Sequence, residues 1–157
     1  MLKTLLVTSL LLLAAPYKQD ANITQLNGDA ILGKWTSEDK KLVVEMYRSG
    51  AEYRGKMVWF KDDDSKPMSE WTDKHNPDEK LRNRKLLGMD VVTGLKYDHE
   101  DKSYNDGHIY EAKSGKTWNA TAKLASNDVL KVKGYWHVKF IGRTMTFMRV
   151  VNATAKN

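Results

Sequence analysis

The sequence predicts an all-β domain of about eight short antiparallel strands closed into a barrel, with one long loop between the third and fourth strands. Three observations point there. Apolar residues recur at every second position from Leu42 almost to Arg149, the spacing of strands with one dry face. Turn-forming pairs such as Ser49-Gly50 and Ser114-Gly115 separate the runs, as in hairpin-linked sheets. Helical periodicity is nearly absent; a single turn is expected after Pro77, with Asp78 and Glu79 at its start and Arg82 to Lys85 at its end, the charge order a helix dipole favours. A barrel is preferred to a sandwich because closure removes the unpaired edges that an exported sheet without disulfides would otherwise present.

Residues 1–21 read as a secretory signal peptide and the start of a linker. Lys3 precedes an apolar run from Leu5 to Leu13, and Ala14-Ala15 follows, the order of a cleavable leader. Pro16, Tyr17 and Lys18 end the run well short of the roughly 20 apolar residues that a membrane span needs. Residues 22–30 continue the linker, 31–151 form the barrel and 152–157 a C-terminal tail. The expected location is periplasmic or secreted. The chain has no cysteine, which excludes disulfides, thiolate nucleophiles, zinc-thiolate sites and the lipid-bearing cysteine of a lipoprotein. A net charge of +6 suits anionic partners; export places anionic lipid headgroups and acidic glycans ahead of nucleic acid.

Strands are expected near residues 31, 42, 52, 87, 104, 117, 129 and 143. Leu42, Val44 and Met46 share a face, as do Tyr53, Gly55, Met57 and Trp59. The theme continues with Leu87, Met89, Val91 and Thr93, then Trp118, Ala120, Ala122 and Leu124. Leu130, Val132, Gly134, Trp136, Val138 and Phe140 form the clearest run, and Met145, Phe147 and Arg149 follow in one phase. An inward arginine requires explanation. In this phasing Tyr53, Met57, Trp59, Trp118 and Trp136 point into the barrel and are the candidate ligand contacts. Two outcomes stay open: the aromatics plug the interior, or a modest apolar cavity holds one small ligand.

The segment from Asp73 to Gly88 is too polar for a strand and too specifically ordered for a spacer. It holds the turn-forming Asn76-Pro77 and two guanidinium forks, Arg82 and Arg84. Such forks either bind an anion bidentately or tie the loop to its own carboxylates and carbonyls. Asp73, Asn76, Arg82 and Arg84, with Arg143 from the last strand, are the candidate recognition residues. Catalytic signals are sparse. There is no Gly-x-Ser-x-Gly elbow, and a hydrolase would need a carboxylate pair, Asp73, Asp78 or Glu79 facing Asp90 or Glu45. Ser114-Gly115-Lys116-Thr117 is not a phosphate loop, because Tyr110 stands where the first glycine belongs and a strand follows. His75, His99, His108 and His137 lack short ligand spacing, so neither metal nor cofactor is expected.

Gly33-Lys34-Trp35 resembles the Gly-x-Trp signature of lipocalins, and Arg149 resembles the arginine that in that superfamily packs over the tryptophan at the closed end. The chain from 31 to 150 also resembles an uncharacterised exported bacterial family, domain of unknown function 2147. Four blocks carry the likeness: Gly33-Lys34-Trp35; Asp73-x-x-Asn76-Pro77-Asp78-x-x-Leu81-Arg82-x-Arg84 with Leu86-Leu87-Gly88; Ile109-Tyr110 with Ser114-Gly115-Lys116-Thr117; and Gly142-Arg143-Thr144 with Arg149. The departures are Glu111-Ala112 for Asp-Pro, Trp118 for tyrosine and Phe147 for tryptophan. The resemblance implies a lipocalin-like barrel of the bacterial envelope, closed by Trp35 and Arg149, and brings no activity with it. The expected function is a noncatalytic barrel that binds a small amphipathic or lipidic ligand. The alternatives are a module that binds anionic envelope glycan or a protein through the Asp73–Gly88 loop, and a carboxylate-pair hydrolase.

Overall fold

The protein is described here from a computed structural model covering residues 28–62, 66–139 and 141–151. The leader, most of the linker, Phe140 and the C-terminal tail lie outside the described residues. Eight strands follow in order: β1 (Gly33–Ser37), β2 (Leu42–Ser49), β3 (Glu52–Phe60), β4 (Asp90–Asp98), β5 (Ser103–Glu111), β6 (Lys116–Ser126), β7 (Val129–Tyr135) and β8 (Gly142–Arg149). Each pairs antiparallel with the next, and β8 closes on β1 through Trp35↔Arg149 and Ser37↔Phe147. The alternating pattern thus produces a closed up-and-down barrel. No helix among the described residues is long and apolar enough to cross a membrane.

This topology sorts the connections into two ends. The 3₁₀ turn Asp29–Ile31 that precedes β1 shares one end with the short β2–β3, β4–β5 and β6–β7 turns. The β1–β2 turn, the long β3–β4 connection, the β5–β6 turn and the β7–β8 loop gather at the other. The core sits nearer the first end, where Trp35, Tyr53, Leu95, Tyr104, Leu130 and Phe147 are buried. Each such side chain contributes roughly 1.5–3 kcal/mol by leaving water.

The first end is plugged by residues read from the sequence as linker. Gly28 and Asp29 belong to the barrel: the Tyr104 hydroxyl donates to the Gly28 carbonyl (2.7 Å) and the Tyr53 hydroxyl to Asp29 Oδ1 (2.8 Å). A Cβ on Gly28 would lie 2.4 Å from the Tyr53 oxygen, so only glycine fits there. Tyr104 meets Tyr53 edge-on at 5.4 Å and Tyr97 at 5.0 Å. Burial, and then the Asp29 carboxylate, push the Tyr53 phenol up to about 12; burial and the neighbouring tyrosines raise Tyr104 as well. Groups raised in this way stabilise the fold fully below their unfolded value near 10 and lose that contribution as pH climbs through about 12. A near-ultraviolet tyrosinate titration should therefore show a late-titrating class that coincides with alkaline unfolding, and Tyr53→Phe should remove one member of it. Complete titration of every tyrosine near pH 10 in folded protein would contradict the plug.

Three of the expected phases change. Val43 pairs with Trp59 but Val44 pairs with Met57, so Val58 is an extra residue in β3. This bulge turns Trp59 off the inward face and leaves it 39% exposed. In β4 the run Leu87, Met89, Val91, Thr93 does not persist: the strand starts at Asp90, register shifts around Gly55, and Val92, Leu95 and Tyr97 take the inward positions. Gly94, at φ +72°, supplies the irregular backbone this requires. Finally β7 ends at Tyr135, so Trp136 is 56% exposed rather than inside.

Candidate functional site

Inward positions at the second end are only half-buried. Pairing of Ile109 with Trp118, of Gly134 with Arg143 and of Val132 with Met145 keeps these residues in the phase of the buried Ala120, Val132 and Phe147. Met57, Ile109, Trp118 and Met145 are partly exposed, and Arg143 is exposed at the lip. Gly134 lies beside Ile109 and Trp118, since a Cβ on it would be in ordinary contact with the first at 3.7 Å and the second at 3.8 Å. Trp136 stands edge-on to Trp118 at 5.5 Å and is held by Asn119, whose side-chain amide donates to the Trp136 carbonyl at 2.7 Å. The result is the mouth of the barrel, an apolar rim whose Met57, Ile109 and Met145 pack against the core, with an aromatic pair on one side and an exposed guanidinium.

The expected ligand contacts divide accordingly. Met57 and Trp118 lie at this mouth, and Trp136 joins them from outside through Trp118. Tyr53 is buried and committed to the closed-end plug. Trp59 faces away, against a separate surface hollow of about 210 Å³ that it lines with Phe60, Met68 and Trp71. Ile109 and Met145 were missed as site residues; their inward phase was readable, but only cross-strand register brings them beside Trp118.

At the opposite end Arg149 covers Trp35, its guanidinium 4.1 Å from the ring centroid. Its nitrogens donate to the carbonyls of Asn127 (2.7 Å), Leu32 (2.8 Å) and Ala30 (2.7 Å), while the indole N–H of Trp35 donates to the Ile31 carbonyl at 2.8 Å. One side chain thereby joins both chain ends of the barrel and the β6–β7 turn. The inward arginine is satisfied by carbonyls, an aromatic face and the Asp128 carboxylate at 3.8 Å.

The long loop is organised around Asp73, whose side chain is fully buried. Its carboxylate accepts from the Tyr110 hydroxyl (2.6 Å), the Asn76 amide (2.7 Å) and Arg84 Nη2 (2.8 Å). Burial works against this charge, but the hydrogen bonds from Tyr110, Asn76 and Arg84 outweigh it and hold Asp73 below the usual carboxylate range. Arg82 donates to the Asn76 carbonyl at 2.9 Å and pairs with Glu79 at 3.0 Å. The short helical turn expected after Pro77 is Glu79–Leu81, capped by Asp78 accepting from the Lys80 N–H. Tyr110 lies out of phase with inward Ile109, so this knot docks the loop on the outer wall of β5. Gly115 completes the dock: its φ is +67°, and a Cβ there would stand 2.0 Å from the His75 carbonyl oxygen. Close backbone approach, not phosphate binding, accounts for glycine in Ser114-Gly115-Lys116-Thr117.

The carboxylates that a hydrolase would pair are each engaged elsewhere. Asp90 accepts from the Tyr47 hydroxyl at 2.8 Å, Glu45 pairs with Lys56 at 3.3 Å, and Asp73, Asp78 and Glu79 serve the loop.

Comparison with known proteins places this geometry. The family model described as "Uncharacterized protein conserved in bacteria (DUF2147)" matches residues 33–149. The chain belongs to the DUF2147 family. For this DUF2147 protein no curated protein matches. Among solved structures it is similar to protein HP1028 from Helicobacter pylori, described as belonging to the lipocalin family, with 25% identity and a TM-score of 0.65 over 77% of this chain and 83% of that one. The DUF2147 chain therefore carries a lipocalin-like barrel, in agreement with the Gly33-Lys34-Trp35 and Arg149 signature.

Proposed function

We propose that this protein is a noncatalytic exported barrel that takes up a small amphipathic ligand at its open end. The observation that carries the reading is the gradient along the inward face, from sealed Trp35, Tyr53 and Tyr104 to partly exposed Met57, Ile109, Trp118 and Met145. An apolar tail fits against thioether and indole surfaces, which adapt to variable shapes. Arg143, in the same phase at the rim, suits an anionic headgroup, to which a guanidinium donates charge-assisted hydrogen bonds. The likeness to a lipocalin-family protein supports the reading at the level of fold. Export rests on the leader pattern at Lys3 to Ala15, and the N-terminal mass of protein recovered from cell envelope or medium tests it.

Tryptophan fluorescence titrated with dodecanoate and with dodecanol tests the site. Saturable binding of dodecanoate is expected, weakened about tenfold by Arg143→Ala, the usual worth of a charge-assisted contact. Trp118→Ala should weaken both probes, whereas Arg143→Ala should spare dodecanol. Absence of saturable binding, or indifference to both variants, would remove the proposal. The alternative of recognition through the long loop has less support, because Asp73, Asn76, Arg82 and Arg84 are occupied with one another.

A further inference from the structure

The outer wall of β5 to β8 carries a groove of about 430 Å³ whose lining includes Lys123, Lys131, Lys133, Lys139, Thr121 and Thr144. Register makes this arrangement costly. Lys123 stands directly opposite Lys131, and Lys133 lies between Thr121 and Thr144 on the neighbouring strands. Like charges in direct cross-strand opposition destabilise a sheet. Asp101 is the single carboxylate among the lining residues, and among the described residues none of the four lysines takes part in an ion pair. The concentration of cations is thus not explained by packing or internal pairing.

A second feature adjoins it. Lys139 comes from the β7–β8 loop, and the same loop exposes Trp136, Val138 and Ile141, the last at 68%. Indole and aliphatic side chains turned to water beside an uncompensated basic groove form the two halves of an interfacial membrane contact, apolar insertion and attraction to anionic headgroups. A soluble polyanion would use the lysines and leave the apolar tip unexplained.

We infer that the β7–β8 loop and the lysine groove dock this protein on the surface of an anionic phospholipid bilayer, with Trp136, Val138 and Ile141 entering the interface and Lys123, Lys131, Lys133 and Lys139 on the phosphodiester headgroups. The inference does not rest on ligand uptake at the barrel mouth, and Trp136, which borders that mouth, is left unaltered in every test variant. It predicts co-sedimentation of the protein with phosphatidylcholine vesicles containing phosphatidylglycerol, little with phosphatidylcholine alone, and a partition coefficient that falls with salt.

Neutralising three of the cations, in the variant Lys123→Gln, Lys131→Gln, Lys133→Gln, should lower partitioning by on the order of a hundredfold, at roughly fivefold per charge. The variant relieves the Lys123–Lys131 repulsion, so its melting temperature should not fall, and circular dichroism verifies that. Ile141→Asp should reduce binding with every lysine in place. Inorganic phosphate at matched ionic strength should not displace the protein from vesicles. Equal affinity for neutral vesicles, unchanged partitioning of the lysine variant, displacement by phosphate, or retention on soluble polygalacturonate without binding to anionic vesicles would each overturn the inference.

Discussion

Arg149→Ala is expected to lower stability by about 3 kcal/mol, a fall of roughly 10 °C in the melting temperature of a domain this size. The side chain makes three charge-assisted bonds to carbonyls and lies on the Trp35 ring. Truncation leaves the Ala30 and Leu32 carbonyls without their donors and uncovers an indole that is otherwise completely buried. It also cuts a side chain that joins the segment before β1 to the β6–β7 turn, so hydrogen exchange should rise first in residues 28–37. Arg149→Lys separates charge from geometry. An ammonium keeps the cation over the ring but cannot serve carbonyls on three segments at once, so it should restore less than half of the loss. A melting curve unchanged in the alanine variant would show that the closed end does not depend on this residue.

Asp73→Ala is expected to cost a similar amount, about 3 kcal/mol, but in a different place. Removal of the carboxylate strands the Tyr110 hydroxyl and the Asn76 amide in a buried site and frees Arg84, which is partly exposed and can recover water. Because the knot fastens the loop to the outer wall of β5, the expected readout is proteolytic nicking between residues 66 and 89 while the barrel still melts cooperatively. Asp73→Asn retains the shape but opposes one amide donor to the donors around it, so it should lie between alanine and wild type.

The acid dependence follows from the depressed titration of Asp73. A carboxyl held lower in the folded state than in the unfolded chain contributes its full stability above the unfolded value, about 3.9, and loses it as pH falls through the folded value. The stability difference between wild type and Asp73→Asn should therefore be flat from about pH 5 upward and shrink below about pH 4. A difference that persists undiminished at the acid end would mean that the charge of Asp73 does not hold the loop.

Much of this molecule is written in local pattern. Alternation in β2, β6 and β8 specifies which residues face inward because side chains of a strand alternate by geometry alone, and Gly33, Trp35 and Arg149 carry the closed end in recognisable positions. The arginines of the long loop and its turn after Pro77 were likewise legible, as were the two uses of a guanidinium fork, of which the hydrogen bonds to Asp73 and Asn76 select internal tying. Site residues were harder to read where the backbone departs from regularity. One extra residue at Val58 rotates Trp59 out of the barrel, and the end of β7 at Tyr135 releases Trp136 to the rim; neither event leaves a mark in composition.

What only the tertiary structure decided are relations between segments distant in the chain. Gly28 is required by Tyr53 and Tyr97, Gly115 by His75, and the mouth exists because Met57, Ile109, Trp118, Met145 and Arg143 reach one end from four strands. Alternation sets the face of a strand, an intrinsic property of a pleated backbone, so the sequence alone determines the barrel class and most of its interior. Register, bulges and the height of each residue along the barrel depend on how neighbouring strands pair, and that is where the apolar mouth, the buried Asp73 knot and the opposed lysines arise.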